Sequence, residues 1–299
     1  MRDRRGWGVV PEPDELYIEE FDGAVRTTDL SPPQTVELRR AVEREEWEVF
    51  YQPFLCLRTG TITGFEALVR WRHPSRGMLG PSEFIPLAEK TGLICPIGEW
   101  VLNKACSQGR RMQEAGFGPL RVSVNLSVRQ LAGAELAGTV ARAVVQHCLD
   151  PRSLQLELTE TVAIEDVASA SETLRSLSVM GVGISLDDFG TGHSALQYLS
   201  EFPITTIKIS QALIRNLHSK PELAVLARSV IRIANELKLD TVAEGVEAEE
   251  ELAFLCAAGC DEIQGYLVSR PVPADEIGRQ LQLAHSIVLA SRHALAPAA

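Results

Sequence analysis

Two hydrophobic periods alternate along this chain. From Val182 to Asp188 the period is two: Val182, Ile184 and Leu186 fall on one face, and Gly183, Ser185 and Asp187 on the other. That pattern predicts a strand. From Pro221 to Lys238, Leu223, Leu226, Val230, Ile233 and Leu237 recur at intervals of three and four, which predicts a helix with one apolar face. Earlier in the chain the pattern predicts a short helix over Gln34–Glu46 and strands over Val49–Leu57 and Thr61–Arg70. Those strands flank Arg58-Thr59-Gly60, a hairpin turn that makes them antiparallel. Helices over Ser82–Thr91 and Ile97–Glu114 are closed by Gly92 and Gly116. Next come a strand at Arg121–Asn125, a helical stretch to about Cys148, a strand at Ser153–Leu158 and a helix at Asp166–Met180. Beyond the strand at 182–188 the pattern gives a short helix near His193–Leu199 and a strand at Ile204–Ile209. After the Pro221–Lys238 helix it gives a strand at Asp240–Ala243, a helix at Ala248–Ala258, a short strand at Glu262–Gln264 and a last helix at Pro273–Leu283.

Strand–helix units repeated with short connections predict an α/β fold of the TIM-type (β/α) barrel class. The leading hairpin modifies the strict barrel pattern. A doubly wound open sheet is the alternative, but no G-x-G-x-x-G follows any strand. Residues 1–34 are polar, rich in charge and proline, and aperiodic, so they are expected to form an extension or linker. The barrel is expected over 35–284, and an Ala-rich tail over 285–299.

Composition narrows the function. With 299 residues, 45% of them hydrophobic, the chain can bury one large barrel or two ordinary domains. A net charge of −11 argues against DNA, which needs a basic footprint. An acidic chain still binds a phosphate-bearing ligand if metal ions reverse the local sign. The six cysteines form no C-x-x-C pair and read as reduced thiols. No signal peptide and no run of 18 apolar residues is found, so a cytoplasmic protein without a membrane span is expected. No histidine pair has metal spacing, which leaves oxygen ligands for any metal.

Candidate chemistry collects at the strand ends. Glu66 lies near the end of the second strand, Asn125 and Glu157 at or near the ends of theirs, and Asp187 and Asp188 close the strand at 182–188. Lys208 is near the end of Ile204–Ile209, Glu244 follows Asp240–Ala243, and Gln264 ends the last strand. Any one of these reads equally as a capping or solvated residue, and Asp187-Asp188-Phe189-Gly190 as a polar turn. In a barrel, however, all these tips share one rim, and that rim carries catalysis. So many carboxylates need cations, and ligands that are all oxygen suit Mg²⁺ or Mn²⁺. Two such ions about 3.5–4 Å apart are a common arrangement for phosphodiester hydrolysis. Lys208 fits as a donor to the attacking water or to the phosphate.

At these residues the chain resembles the EAL-domain cyclic di-GMP phosphodiesterases. Glu66-Ala67-Leu68-Val69-Arg70-Trp71 is similar to the family signature. The ordered set continues with Tyr51-Gln52-Pro53, Glu83-Phe84-Ile85-Pro86-Leu87-Ala88-Glu89, Val124-Asn125-Leu126-Ser127 and Glu157-Leu158-Thr159-Glu160. It also includes Asp187-Asp188-Phe189-Gly190-Thr191-Gly192, Ile207-Lys208, Ala243-Glu244-Gly245-Val246-Glu247 and Gln264-Gly265-Tyr266. The resemblance runs from about Val36 to Leu283. It implies a modified barrel with an antiparallel first strand and hydrolysis of one phosphodiester of cyclic di-GMP to linear pGpG. By the same resemblance, Glu66, Asn125, Glu157 and Asp187 are ligands of one metal. Asp187 and Asp188 are shared or second-metal acids, and Glu244 is a second-metal ligand that can also act as base. Lys208 contacts the attacking water, Arg70 a substrate phosphate, and Gln52 and Gln264 the substrate. Glu160 anchors the loop after Asp188, and Glu247 is a supporting acid. His193 and Ala195 stand where the family often has tyrosine and serine, in the loop rather than among the ligands. The resemblance also implies a homodimer. Two other readings stay open: a receptor that binds cyclic di-GMP without turnover, and an unrelated metal-dependent barrel hydrolase.

Overall fold

Helix α1 (Pro32–Arg44) leads into two long strands, β1 (Trp47–Cys56) and β2 (Ile62–His73). They pair antiparallel, with Gln52 opposite Glu66 and Glu48 opposite Arg70. The computed structural model describes residues 32–133, 135–159, 167–190, 195–217 and 219–281. The extension before residue 32, the tail at 285–299, Glu160 and His193 lie outside them.

β2 runs past the predicted Arg70 to His73 and folds back on the short β3 (Gly77–Leu79). Helices α2 (Pro81–Thr91) and α3 (Ile94–Glu114) follow, then β4 (Arg121–Leu126). The predicted helical stretch after β4 is two helices, α4 (Val128–Leu131) and α5 (Leu136–Gln146). The chain continues through β5 (Leu154–Thr159), α6 (Val167–Val179), β6 (Gly183–Phe189), α7 (Ala195–Glu201) and β7 (Thr206–Ile209). It then forms α8 (Gln211–Ile214), α9 (Pro221–Leu237), β8 (Asp240–Ala243), α10 (Glu249–Ala258) and β9 (Glu262–Ile263). Gly92 and Gly259 take left-handed φ of 81° and 79° at the ends of α2 and α10, where a residue without Cβ turns the chain at little cost.

The last predicted helix is corrected. Val272 and Pro273 form β10, which pairs antiparallel with β1 at Tyr51 and Phe50. Pro273 tolerates this edge position because an edge leaves some backbone groups without ladder partners. Helix resumes only at 277–281.

β2, β4, β5, β6, β7, β8 and β9 pair parallel in that order, and β1 pairs antiparallel with both β2 and β9, closing a barrel of eight strands. Parity then sorts the side chains. Val122, Val124, Leu154, Leu156, Leu158, Ile184, Leu186, Ile207 and Ile209 lie buried on the outer parity, in the hydrophobic core. Ser123, Gln155, Glu157, Ser185, Asp187, Thr206 and Lys208 share the inward parity and are also buried. Arg121 closes the end of this polar column, 2.5 Å from Glu262 and with its guanidinium 4.8 Å from the centre of the Phe54 ring. Among the described residues no helix is long and apolar enough to cross a membrane.

Candidate active site

Parallel register sets the inward side chains in rows across neighbouring strands. Asn125, Glu157 and Ser185 are successive partners across β4, β5 and β6, and Glu66 on β2 is level with Ser123. Glu66 is therefore in mid-strand rather than near a strand end, because β2 continues to its pairing with β3. Lys208 points into the same space and is 1% exposed. Its Nζ lies 2.6 Å from Glu244 Oε1, 2.7 Å from Glu157 Oε2, 3.1 Å from Asp187 Oδ1 and 3.5 Å from Glu66 Oε2. Asp188 stands next to Asp187 in the left-handed region at φ 55°, which Asp tolerates better than most residues. Its carboxylate accepts a hydrogen bond of 3.3 Å from Ser210 Oγ.

Amides hold Glu66. Asn125 Nδ2 donates to Glu66 Oε1 at 2.6 Å, and Gln264 Nε2 donates to Glu66 Oε2 at 2.8 Å. Gln264 Nε2 also reaches Gln52 Oε1 at 3.1 Å, and Gln52 Nε2 donates to the Ser269 carbonyl at 3.1 Å. Both glutamines predicted to meet substrate thus brace Glu66 in this structure. Arg70 shares the inward parity of Glu66 further along β2; it is buried, donates to the Val69 carbonyl and lies 5.7 Å from the centre of the Phe50 ring. Glu247 is exposed, and its backbone N–H donates to Glu251.

The charge balance is uneven: five carboxylates, Glu66, Glu157, Asp187, Asp188 and Glu244, crowd one ammonium. Burial opposes Glu66 ionisation, but Lys208 and the amide hydrogen bonds outweigh it and hold its carboxyl below the usual range. Glu157, which is deeper, is pushed up to about 8 by burial and by the charge of Glu66. Burial and Asp187 raise Glu244 well above its ordinary value, and lost hydration and Asp187 raise Asp188. The surrounding acids overcome the burial cost on Lys208 and raise it well above the usual lysine value. Without a further cation, protons make up the deficit.

Glu157→Gln tests this balance. A carboxyl whose folded pKa is raised stabilises fully below its unfolded value near 4.5, and that stability is lost as pH rises to about 8. Glutamine cannot ionise and still supplies a donor and an acceptor. The melting temperature of the metal-free variant should exceed the parent's by a margin that grows from pH 5 to pH 8 and then levels. A margin independent of pH would refute the assignment.

Among the described residues no three His, Cys, Asp or Glu side chains form a ready-made metal cage; the Lys208 ammonium lies where four of the acids converge. The donor set nevertheless fits divalent cations. Every atom it offers a cation is an oxygen, and the acids outnumber the Lys208 ammonium. Asp187 Oδ1 is buried without hydrogen-bond geometry to any partner, including Lys208, and Gln264 Oε1 is buried unpaired as well.

Three residues escaped the sequence reading. Ser123 Oγ donates to Glu157 Oε1. Ser210 both holds Asp188 and caps α8. Glu251 accepts backbone N–H bonds from Asn216, Glu247 and Ala248, tying the segment after Glu244 to the turn after α8. Ser123 carried a usable signal, since it shares parity with Asn125; the other two depend on loop geometry.

Comparison with known proteins matches residues 35–271 to the model of the EAL domain. The chain is 44% identical over 241 residues to the bifunctional diguanylate cyclase/cyclic di-GMP phosphodiesterase MucR of Pseudomonas aeruginosa, covering 81% of this chain and 35% of that protein. It is 41% identical over 237 residues to the cyclic di-GMP phosphodiesterase NbdA of the same organism, covering 79% of this chain and 30% of that one. The chain therefore spans about a third of the length of these relatives. Among solved structures, the MucR phosphodiesterase in complex with c-di-GMP superposes with a TM-score of 0.78 at 43% identity, covering 82% of this chain and 99% of that one.

Proposed function

This chain belongs to the EAL domain family, and we propose on that premise that it is a metal-dependent phosphodiesterase converting cyclic di-GMP to pGpG. The observation that carries the reading is the excess of inward carboxylates around one buried ammonium. An anionic phosphodiester approaches such a cluster only if cations reverse its sign. The names of the relatives, and the cyclic di-GMP complex of one of them, supply the substrate.

Glu66, Asn125, Glu157 and Asp187 would hold one divalent ion, Mg²⁺ or Mn²⁺, and Asp187, Asp188 and Glu244 a second. Bound there, the ions supply charge neutralisation at the phosphate and a water of lowered pKa. The remaining work falls to the chain. Lys208 is fixed at the focus of the acids and presents its N–H donors to the attacking water, setting the line of attack opposite the 3′ oxygen. Arg70, further out on β2, meets a phosphate oxygen. Glu244 Oε1 takes the water's proton as the oxygen bonds to phosphorus. The P–O3′ bond breaks, and the proton passes through solvent to the leaving 3′ oxygen. Gln52 and Gln264 keep Glu66 oriented throughout.

Product analysis tests the proposal. Incubation of the protein with cyclic di-GMP and Mn²⁺ or Mg²⁺ should yield pGpG, and excess EDTA should abolish it. Tight binding with no product in the presence of metal would favour the receptor reading. Turnover of other diesters without preference for guanine would favour an unrelated barrel hydrolase.

A further inference from the structure

We infer that Ser123 is a positioning residue for Glu157, holding that carboxylate in the orientation that receives a divalent cation. The inference rests on the metal-dependent reading above and assigns a role to a layer of the barrel beneath the ligands. Ser123 is fully buried on the inward parity of β4, one inward step below Asn125, which is paired with Glu157. Its Oγ donates to Glu157 Oε1, while Lys208 Nζ holds Oε2 at 2.7 Å. The two oxygens are therefore held from different strands, which fixes the plane of the carboxylate. A glutamate has three rotatable bonds, and with one oxygen released its terminal torsion is free to turn. The other hydroxyl acceptor near Ser123, Gln155 Oε1, is 3.5 Å away, and the Gln155 amide is committed to Thr206 Oγ1 at 2.7 Å. Glu157 is thus the main partner of Ser123. Outer-shell hydrogen bonds of this kind typically change metal affinity or activity by about 10–100-fold.

The test is calorimetric titration of Mn²⁺ into the metal-free full chain, with melting temperature measured in parallel. Ser123→Ala should weaken Mn²⁺ binding about 10-fold and lower the melting temperature in EDTA, because Glu157 Oε1 loses its buried donor. Ser123→Thr, which keeps the hydroxyl, should bind close to the parent. If the alanine variant does not fold, Ser123→Cys, similar in shape with a weaker donor, takes its place under the same criteria. Unchanged affinity in the alanine variant overturns the inference while leaving the metal reading intact. Equal losses in the alanine and threonine variants point to packing and also overturn it. Absence of Mn²⁺ binding by the parent protein overturns the metal reading and this inference together.

Discussion

Lys208→Met should lower the metal-free stability at pH 8 by about 3–5 kcal/mol, the usual cost of removing one partner from a buried ionic cluster. For a chain of this size that is a fall on the order of 10 °C in melting temperature. The cause is direct: methionine fills the space but leaves Glu157, Glu244, Asp187 and Glu66 facing one another without the ammonium now 2.6–3.5 Å away. Two conditions should reduce the loss. At pH 5 the carboxyls raised by burial and mutual repulsion carry protons, so less charge is left uncompensated. Saturating Mn²⁺ supplies positive charge and should restore much of the difference even at pH 8. With metal present, turnover should still fall about 10²–10³-fold, the effect of losing one preorganised donor at a reacting centre. A variant that melts with the parent in EDTA at pH 8 would show that Lys208 is not the counter-ion of the cluster.

Glu66→Ala should reduce cyclic di-GMP turnover on the order of 10³-fold or more, as one cation ligand and its local charge disappear together. Asp187→Ala should do the same. The stability effect at Glu66 is expected to differ from those at Glu157 and Glu244. Glu66 is held below the usual carboxylate range and accepts hydrogen bonds from Asn125 and Gln264. Its removal leaves buried amide donors unpaired, so the metal-free protein should lose stability rather than gain it. Relief of crowding belongs instead to Glu157 and Glu244, whose carboxyls are raised. Undiminished turnover by either alanine variant at limiting metal would remove that residue from the ligand set.

The barrel was readable because parity along each strand is a local property. The alternation of Ser185 and Asp187 with Ile184 and Leu186 already separates an inner wall from an outer one, and Asp240–Ala243 is a strand with the predicted bounds. The Arg58-Thr59-Gly60 turn made β1 and β2 antiparallel partners in the same way. Misreadings arose where distant contacts decide. Val272 and Pro273 resemble a helix start, with proline near the first turn, but pairing with Tyr51 and Phe50 draws them into a strand. β3 has three residues and α8 four, too few to display a period.

At the site, residue type located the acids but not their differences. Glu66 and Glu157 look equivalent in sequence, since each is an acid on an inward strand position. Their neighbours separate them: two amide donors meet Glu66, whereas Glu157 lies deeper among other charges. Gln52 and Gln264 read as substrate contacts through the family resemblance alone. Only coordinates reveal that their amides are engaged with each other, with Glu66 and with the Ser269 carbonyl.

On the metal-dependent reading, divalent cations meet the charge deficit of this cluster. Anomalous diffraction from crystals of the protein soaked in Mn²⁺ tests it most directly. Manganese peaks are expected among Glu66, Asn125, Glu157, Asp187, Asp188 and Glu244. Well-ordered side chains at those positions with no anomalous density among them would contradict it.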